Sequence, residues 1–342
     1  MNVVTPPETL SPKDFATDRE VRWCPGCGDY AILRAVQKTL ADIGASKENT
    51  VFVSGIGCAA RFPYYMETYG FHTIHGRAPA IATGVKLANP ELDVWVISGD
   101  GDALSIGGNH LLHLLRRNLN VQFLLFNNEI YGLTKGQYSP TSRAGTRSPS
   151  TPEGSIDTPI SPVTFALGAG ARFVARGVDT MQKHLPEVFT RAHAHIGASF
   201  VEIYQNCIVY NDGVFSEFTD KTKAADRQLI VEHGKPMIFG ADGNRGLRLK
   251  PGELALEVVT IGEGGVDESE IMIHDETNRT LATMLAGFSG EEFPVVLGVI
   301  YCDPAPSYEA ALATLAGDAG EKTTASGLNG LLRRGHTWDV ED

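Results

Sequence analysis

The chain has 342 residues, 42% of them hydrophobic and 20% charged, with a formal net charge of −12. That length allows one large domain or two ordinary ones around a sizeable core, and the composition is that of a soluble globular protein. The acidic balance, with no Lys/Arg run, excludes nucleic acid as the main partner, because phosphate binding needs a basic face.

The N-terminus, MNVVTPPETLSPKDFATDRE, is polar and proline-bearing, without the apolar segment of a signal peptide. No apolar run approaches the ~18 residues of a membrane span, so the expectation is a cytoplasmic protein with no membrane partner. Cys24-Pro-Gly-Cys27 follows in RWCPGCGDY. In a reducing compartment such a pair reads as metal-binding or redox-active before it reads as a disulfide. Periodicity predicts a helix over Tyr30–Ile43, a strand over Val51–Ser54, a helix over Ala78–Leu87 and a strand over Val94–Ser98. A helix over Ala103–Arg117 and a strand over Val121–Phe126 come next. From Thr134 to Pro162 the chain is rich in Ser, Thr, Pro and Gly with no apolar period, a long loop of the kind that is functional or disordered. A helix over Met181–His195 and a strand over Phe200–Tyr204 follow. Beyond about Lys235 the chain turns Gly-rich and acidic, with one more strand over Val295–Tyr301. Strands alternating with helices predict an α/β fold, a mostly parallel sheet with helices on both faces, binding its ligands at the carboxyl ends of the strands. The expected division is a main domain, 1–234, and a small C-terminal appendage, 235–342. There is no internal repeat.

The segment SGDGDALSIGG, Ser98–Gly108, puts two aspartates and several glycines where a buried strand should become a helix. Acidic side chains are poor core material, so the reading is a bound group. If the helix makes a right-handed crossover, the strands ending at Ser98 and Phe126 are neighbours, and Asp100 faces Asn128. A carboxylate, an amide oxygen and a backbone carbonyl suit a hard divalent cation, and Mg²⁺ takes about six oxygens. The glycines admit phosphates close to the backbone, and the helix offers its positive N-terminal end. The alternative is a strand-end turn in which Asp merely caps a helix. Gly55-Ile-Gly57-Cys-Ala-Ala60 competes as a dinucleotide motif, but the acid expected about 20 residues on is missing: the chain there reads His72-Thr-Ile-His75-Gly-Arg77.

Cys58 in VSGIGCAAR and Cys207 in FVEIYQNCIVY each stand just past a strand, as does Cys302 in VIYCDPAP. With Cys24 and Cys27, four thiolates could hold a [4Fe–4S] cluster or a structural Zn²⁺. Residue chemistry alone leaves that choice open, and leaves Cys302 competing as fourth ligand.

Taken together, WCPGCGDY, GIGC, HGR, GDGD, NNEIYGLTKGQ and QNC, in that order from Trp23 to Cys207, resemble the β subunit of a 2-oxoacid:ferredoxin oxidoreductase. LTKGQ and the later EHGKPMIFG resemble the 2-oxoglutarate members most, the pyruvate enzymes being expected to carry glycine where Lys135 stands. The resemblance implies a thiamine diphosphate-binding fold holding thiamine diphosphate, Mg²⁺ and one [4Fe–4S] cluster. By it, Cys24, Cys27, Cys58 and Cys207 hold the cluster and Cys302 does not, while Asp100, Asn128 and the carbonyl of Ile130 hold Mg²⁺. Cofactor contacts would come from Ile56, Gly57, Cys58, Ala59, His75, Gly101, Asp102, Gly132, Leu133 and Ile208. The implied reaction is decarboxylation of 2-oxoglutarate, with two electrons leaving through the cluster to ferredoxin and coenzyme A taking the acyl group. Pyruvate or another 2-oxoacid is the alternative substrate.

No glutamate in this chain fits the acid that thiamine enzymes need at the aminopyrimidine; the family takes it from the α subunit, so the chain is expected to be inactive alone. Lys135, seven positions after Asn128, could pair with the distal carboxylate of 2-oxoglutarate, because an unpaired buried carboxylate is costly. Arg61 and Arg143 are other cations for that role, and the alternative is a solvated loop lysine. His75 taken alone would read as a structural histidine; its place in IHGR makes it a catalytic candidate. Readings of a different class are a zinc-stapled, non-redox thiamine diphosphate decarboxylase and a non-catalytic scaffold subunit.

Overall fold

The computed structural model describes residues 10–288 and 290–322, together with positions 335, 338 and 340. An eight-stranded sheet organises it. In chain order its strands are β1 (Thr50–Ser54), β2 (Tyr69–His72), β3 (Asp93–Gly99), β4 (Val121–Asn127), β7 (Phe173–Val178), β8 (Ala198–Tyr204), β9 (Gln228–Val231) and β13 (Val295–Cys302). They lie side by side as β2-β1-β3-β4-β8-β7-β13-β9, all neighbours parallel except the antiparallel pair β7 and β13. A two-stranded hairpin, β5 (Ile130–Tyr131) with β6 (Gln137–Tyr138), and a three-stranded sheet, β10 (Ile238–Phe239), β11 (Arg245–Leu249) and β12 (Leu256–Thr260), complete the strands.

The central strands are near-continuous apolar runs because both faces are covered. VQFLLFN of β4 is buried at every position. Alternation within each strand sends side chains to two separate cores. Val51, Val53, Val94, Val96, Phe123 and Leu125 face α2 (Ala78–Ala88) and α4 (Gly108–Arg117). Phe52, Trp95, Ile97, Leu124 and Phe126 face α1 (Asp29–Asp42) and α6 (His184–Ala194). The expected mostly parallel sheet with helices on both faces is therefore present.

The helix expected over Ala103–Arg117 is broken into α3 (Asp100–Leu104) and α4. The cause lies at Gly107, where a Cβ would come 2.4 Å from the carbonyl oxygen of Asp102 and 3.0 Å from the Cα of Gly76. The chain bends there so that a second loop can pass. The remaining helices are α5 (Pro162–Gly168), the single turns α7 (Ser216–Thr219) and α8 (Ala224–Arg227), α9 (Arg279–Ala286) and α10 (Tyr308–Lys322). Among the described residues no helix is long and apolar enough to cross a membrane.

The main sheet crosses the expected boundary at 234/235. β13 lies between β7 and β9, and Met237, Phe239, Leu247 and Leu256 pack in the same core as Leu281, Leu285 and Val296. β13 is apolar enough to be buried at nearly every position, so it takes an interior place in the sheet that a Gly-rich context concealed.

Candidate active site

The registers bring the site to one edge. Gly99 pairs with Phe126, Asn127 with Tyr204, and Ser54 with both His72 and Ile97. The segments after β1, β2, β3, β4 and β8 therefore leave the sheet on the same side, which is where Gly55–Ala59, Thr73–Gly76, Asp100–Asp102, Asn128–Ile130 and Gln205–Ile208 stand.

Asp100 opens α3 and is buried. Its Oδ2 accepts hydrogen bonds from Ser139 Oγ (2.5 Å) and Thr141 Oγ1 (2.6 Å). Burial pushes its carboxyl pKa up, and the two hydroxyls oppose that. A carboxylate placed this way, with only neutral partners, is costly as an anion until a cation joins it. Thr141 also bonds Asn127 Oδ1, and Ile130 N donates to Asn128 Oδ1. Among the described residues Asp100 and Asn128 share no direct hydrogen bond. All the candidate donors are carboxylate, amide or carbonyl oxygens, the set a hard divalent ion takes. Gly101 lets the turn approach Tyr131, since a Cβ there would lie 2.2 Å from the tyrosine ring; the tyrosine hydroxyl donates to Gly101 O at 2.9 Å. These residues fit a magnesium diphosphate.

Asp102, two residues on, serves differently. It is buried, and four donors fill it: Ile56 N (3.1 Å), Gly76 N (2.7 Å) and His75 Nδ1 (2.6 Å) on Oδ1, and Ser98 Oγ (2.5 Å) on Oδ2. A Cβ on Gly55 would fall 1.9 Å from Oδ2. The G-x-G-x-x-A match at Gly55 thus has a physical reason unconnected with dinucleotides: the loop after β1 must pass against a buried carboxylate.

Four cysteines come together. Cys24, Cys27, Cys58 and Cys207 line one small cavity with Trp23, Asp29, Gln205, Asn128, Gly132 and Ile208. Backbone ties hold the loops there: Trp23 Nε1 donates to Cys58 O (2.7 Å) and Gly28 N to Asn206 O (3.1 Å). Among the described residues no three His, Cys, Asp or Glu side chains are drawn in as a metal ion would hold them. The thiols surround a space rather than pair, and the chain has no disulfide among them. Burial pushes the Cys58 thiol up to about 12 and that of Cys27 higher still. Without metal both keep their protons, and metal binding would release them. Four soft donors around one cavity fit an iron–sulfur cluster, and equally a zinc ion, by chemistry alone. Cys302 is elsewhere, buried with its Sγ 3.8 Å from His195 Nδ1.

Among the other candidates, Ile56, Leu133 and Ile208 expose apolar side chains at the rim, as do Ile74 and Ile106. Lys135 is exposed at the tip of the β5–β6 hairpin with φ +75°, its N–H bonded to Gly132 O. Arg143 is engaged with Glu129 and Glu217, and Arg61 with the carbonyl of Arg22.

Sequence reasoning missed Ser139, Thr141 and Gln205. The first two lie in the Ser/Thr/Pro-rich loop, whose hydroxyl content was the available signal. Gln205 is buried; it accepts from Asn128 Nδ2 (2.8 Å) and donates to Cys27 Sγ (3.2 Å), so one amide links the metal loop to the cysteine cavity.

Residues 55–203 match the thiamine pyrophosphate enzyme C-terminal TPP binding domain. The chain is 50% identical over 335 residues to the 2-oxoglutarate oxidoreductase subunit KorB of Mycobacterium tuberculosis, covering 96% of this chain and 88% of that protein. The 2-oxoglutarate synthase subunit KorB of Archaeoglobus fulgidus is 41% identical over 189 residues, 54% of this chain and 69% of that protein. A solved 2-oxoglutarate:ferredoxin oxidoreductase from Magnetococcus marinus, with 2-oxoglutarate, coenzyme A and succinyl-CoA bound, matches with a TM-score of 0.75 at 32% identity, over 95% of this chain and 96% of that one.

Proposed function

Because the chain belongs to the β subunits of the 2-oxoacid:ferredoxin oxidoreductases, enzymes built on the thiamine diphosphate fold, we propose that it houses thiamine diphosphate, Mg²⁺ and a [4Fe–4S] cluster for the CoA-dependent oxidation of 2-oxoglutarate to succinyl-CoA and CO₂ in a cytoplasmic complex. One observation carries the reading: the cavity lined by Cys24, Cys27, Cys58 and Cys207 shares its wall with Asn128, Gly132 and Ile208. An electron acceptor there would lie against the cofactor loop.

Bound thiamine diphosphate would supply the electron sink for loss of CO₂, and a cluster held by Cys24, Cys27, Cys58 and Cys207 would supply one-electron redox chemistry toward ferredoxin. The chain's own residues do the rest. Asp100 supplies the buried negative charge for the metal; the amide oxygen of Asn128 and the carbonyl of Ile130 complete its protein donors. Ser139 and Thr141 hold the Asp100 carboxylate in place. The apolar rim at Ile56, Leu133 and Ile208 keeps water from the reacting centre. Lys135 pairs with the distal carboxylate of the substrate. A non-glycine residue at φ +75° is strained by ~1–2 kcal/mol, which glycine would relieve. The activating acid comes from an α subunit that also closes the cleft, and the segment 235–342 contributes to that interface.

The test is anaerobic purification with the α partner. A brown complex with about four irons and four sulfides per β chain, reducing ferredoxin only when 2-oxoglutarate and CoA are both present, is expected. Stoichiometric zinc without acid-labile sulfide would replace this reading with the non-redox decarboxylase.

A further inference from the structure

We propose that Asp102 is a positioning residue for His75: it fixes the imidazole as the Nδ1–H tautomer and leaves Nε2 as a hydrogen-bond acceptor in the cofactor cleft. The inference deepens the functional reading above and rests on it for the identity of the cleft.

The chemistry of the donors around Asp102 decides the polarity. Oδ1 takes two backbone N–H groups, from Ile56 and Gly76, and these can only donate. An oxygen held by two such donors stays an acceptor, so the third partner, His75 Nδ1 at 2.6 Å, donates as well. A neutral imidazole carries one N–H, so the bond on Nδ1 makes Nε2 the lone-pair nitrogen. Nε2 has no partner among the described residues, and the His75 side chain is 37% exposed against 1% for Asp102. The ring stands edge-on to Tyr131, centroids 6.2 Å apart, and Tyr131 bonds the carbonyl of Gly101. The acceptor thus sits beside the turn that carries Asp100. The Asp102 carboxylate is enclosed by its own donors and faces the cleft only through His75.

The backbone is shaped around this contact. Gly55, Gly76 and Gly107 each lack a side chain where one would collide: with the Asp102 carboxylate, with Gly107 N at 2.6 Å, and with Asp102 O at 2.4 Å. Gly76 also has φ +70°, the left-handed region. The segments after β1 and β2 converge on the Asp102 carboxylate, and the segment after α3 packs against its backbone carbonyl and against Gly76. The second aspartate of GDGD accounts for both the glycines and the break in the helix.

The direct measurement is a two-bond ¹H–¹⁵N spectrum of the full chain labelled at histidine, taken at pH 8, with His75 assigned by its loss in His75→Gln. The expected ring carries its proton on Nδ1 alone. Asp102→Asn should keep that tautomer, because its amide oxygen still accepts at Oδ1 while its NH₂ donates to Ser98. Asp102→Ala should shift the ring to the Nε2–H form that an unconstrained histidine side chain prefers. A wild-type ring protonated on Nε2, as neutral tautomer or imidazolium, overturns the proposal.

In the assembled enzyme, His75→Gln and Asp102→Ala should each lower kcat by about 100-fold, the scale of a misplaced reacting group, with KM for 2-oxoglutarate changed far less. Asp102→Asn should lose less than Asp102→Ala. The double variant His75→Gln/Asp102→Ala should lose no more than either single, since one acts through the other. Multiplying losses would mean that Asp102 does not work through His75. If the wild-type complex fails to oxidise 2-oxoglutarate, the functional reading falls, while the tautomer measurement still decides this inference.

Discussion

At Lys135, side-chain chemistry and backbone geometry pull in different directions. Its ammonium is exposed at a hairpin tip, and its φ of +75° suits glycine. Lys135→Gly should therefore stabilise the fold by about 1 kcal/mol while lowering kcat/KM for 2-oxoglutarate by roughly 10- to 100-fold, the worth of a charge-assisted bond. Pyruvate, which lacks the distal carboxylate, should be used almost as before. The check is a side-by-side kcat/KM on both substrates together with a thermal melt. Equal loss on both would assign Lys135 to the hairpin rather than to substrate. At Gln205 the single amide between Asn128 and Cys27 has a separable effect. An N–H donated to a cluster sulfur favours the reduced, more negative state, so Gln205→Leu should move the cluster potential downward in a potentiometric titration. An unchanged potential would mean that the contact is only structural.

At the scale of elements, what was legible in the sequence followed its periodicity. The strands ending at Ser54, Gly99, Asn127 and Tyr204 were readable because both faces are buried and the runs are apolar. The residues just past them, Cys58, Asp100, Asn128 and Cys207, were readable for the same reason. β7 escaped because Arg176 and Gly177 interrupt its run; the arginine is tolerated only through a buried pair with Glu202 at 2.8 Å, which no local pattern signals. β2 escaped because all four residues are exposed at the sheet edge. Ser139 and Thr141 reach Asp100 across 39 and 41 positions of chain, a pairing that only the fold reveals. The position of Cys302 on β13, against His195 and away from the four-cysteine cavity, yields a sharp contrast. Cys207→Ser should strip the protein of most of its iron, while Cys302→Ser should keep about four irons per chain. Iron analysis giving the reverse would move the fourth ligand to Cys302.

At the scale of the whole molecule, a strongly acidic chain presents an apolar rim at Ile56, Ile74, Ile106, Leu133 and Ile208 around its cofactor edge. A rim of that kind is suited to burial by another chain, in keeping with the proposed completion of the site by an α subunit. The chain by itself should bind thiamine diphosphate weakly and turn over no 2-oxoglutarate with an artificial electron acceptor, activity appearing on addition of the α subunit. Full turnover by the chain alone would contradict that division of labour. The central claim is that the cofactor loop and the cysteine cavity share one wall so that electrons pass between them. Electron paramagnetic resonance of the anaerobic α–β complex, mixed with 2-oxoglutarate in the absence of ferredoxin, tests it most directly. A reduced-cluster signal should form in the wild type and be lost in Asp100→Ala, which should bind thiamine diphosphate at least ~100-fold more weakly, beyond the 10- to 100-fold of outer-shell metal partners, yet keep its iron. Release of CO₂ with the cluster left oxidised would contradict it.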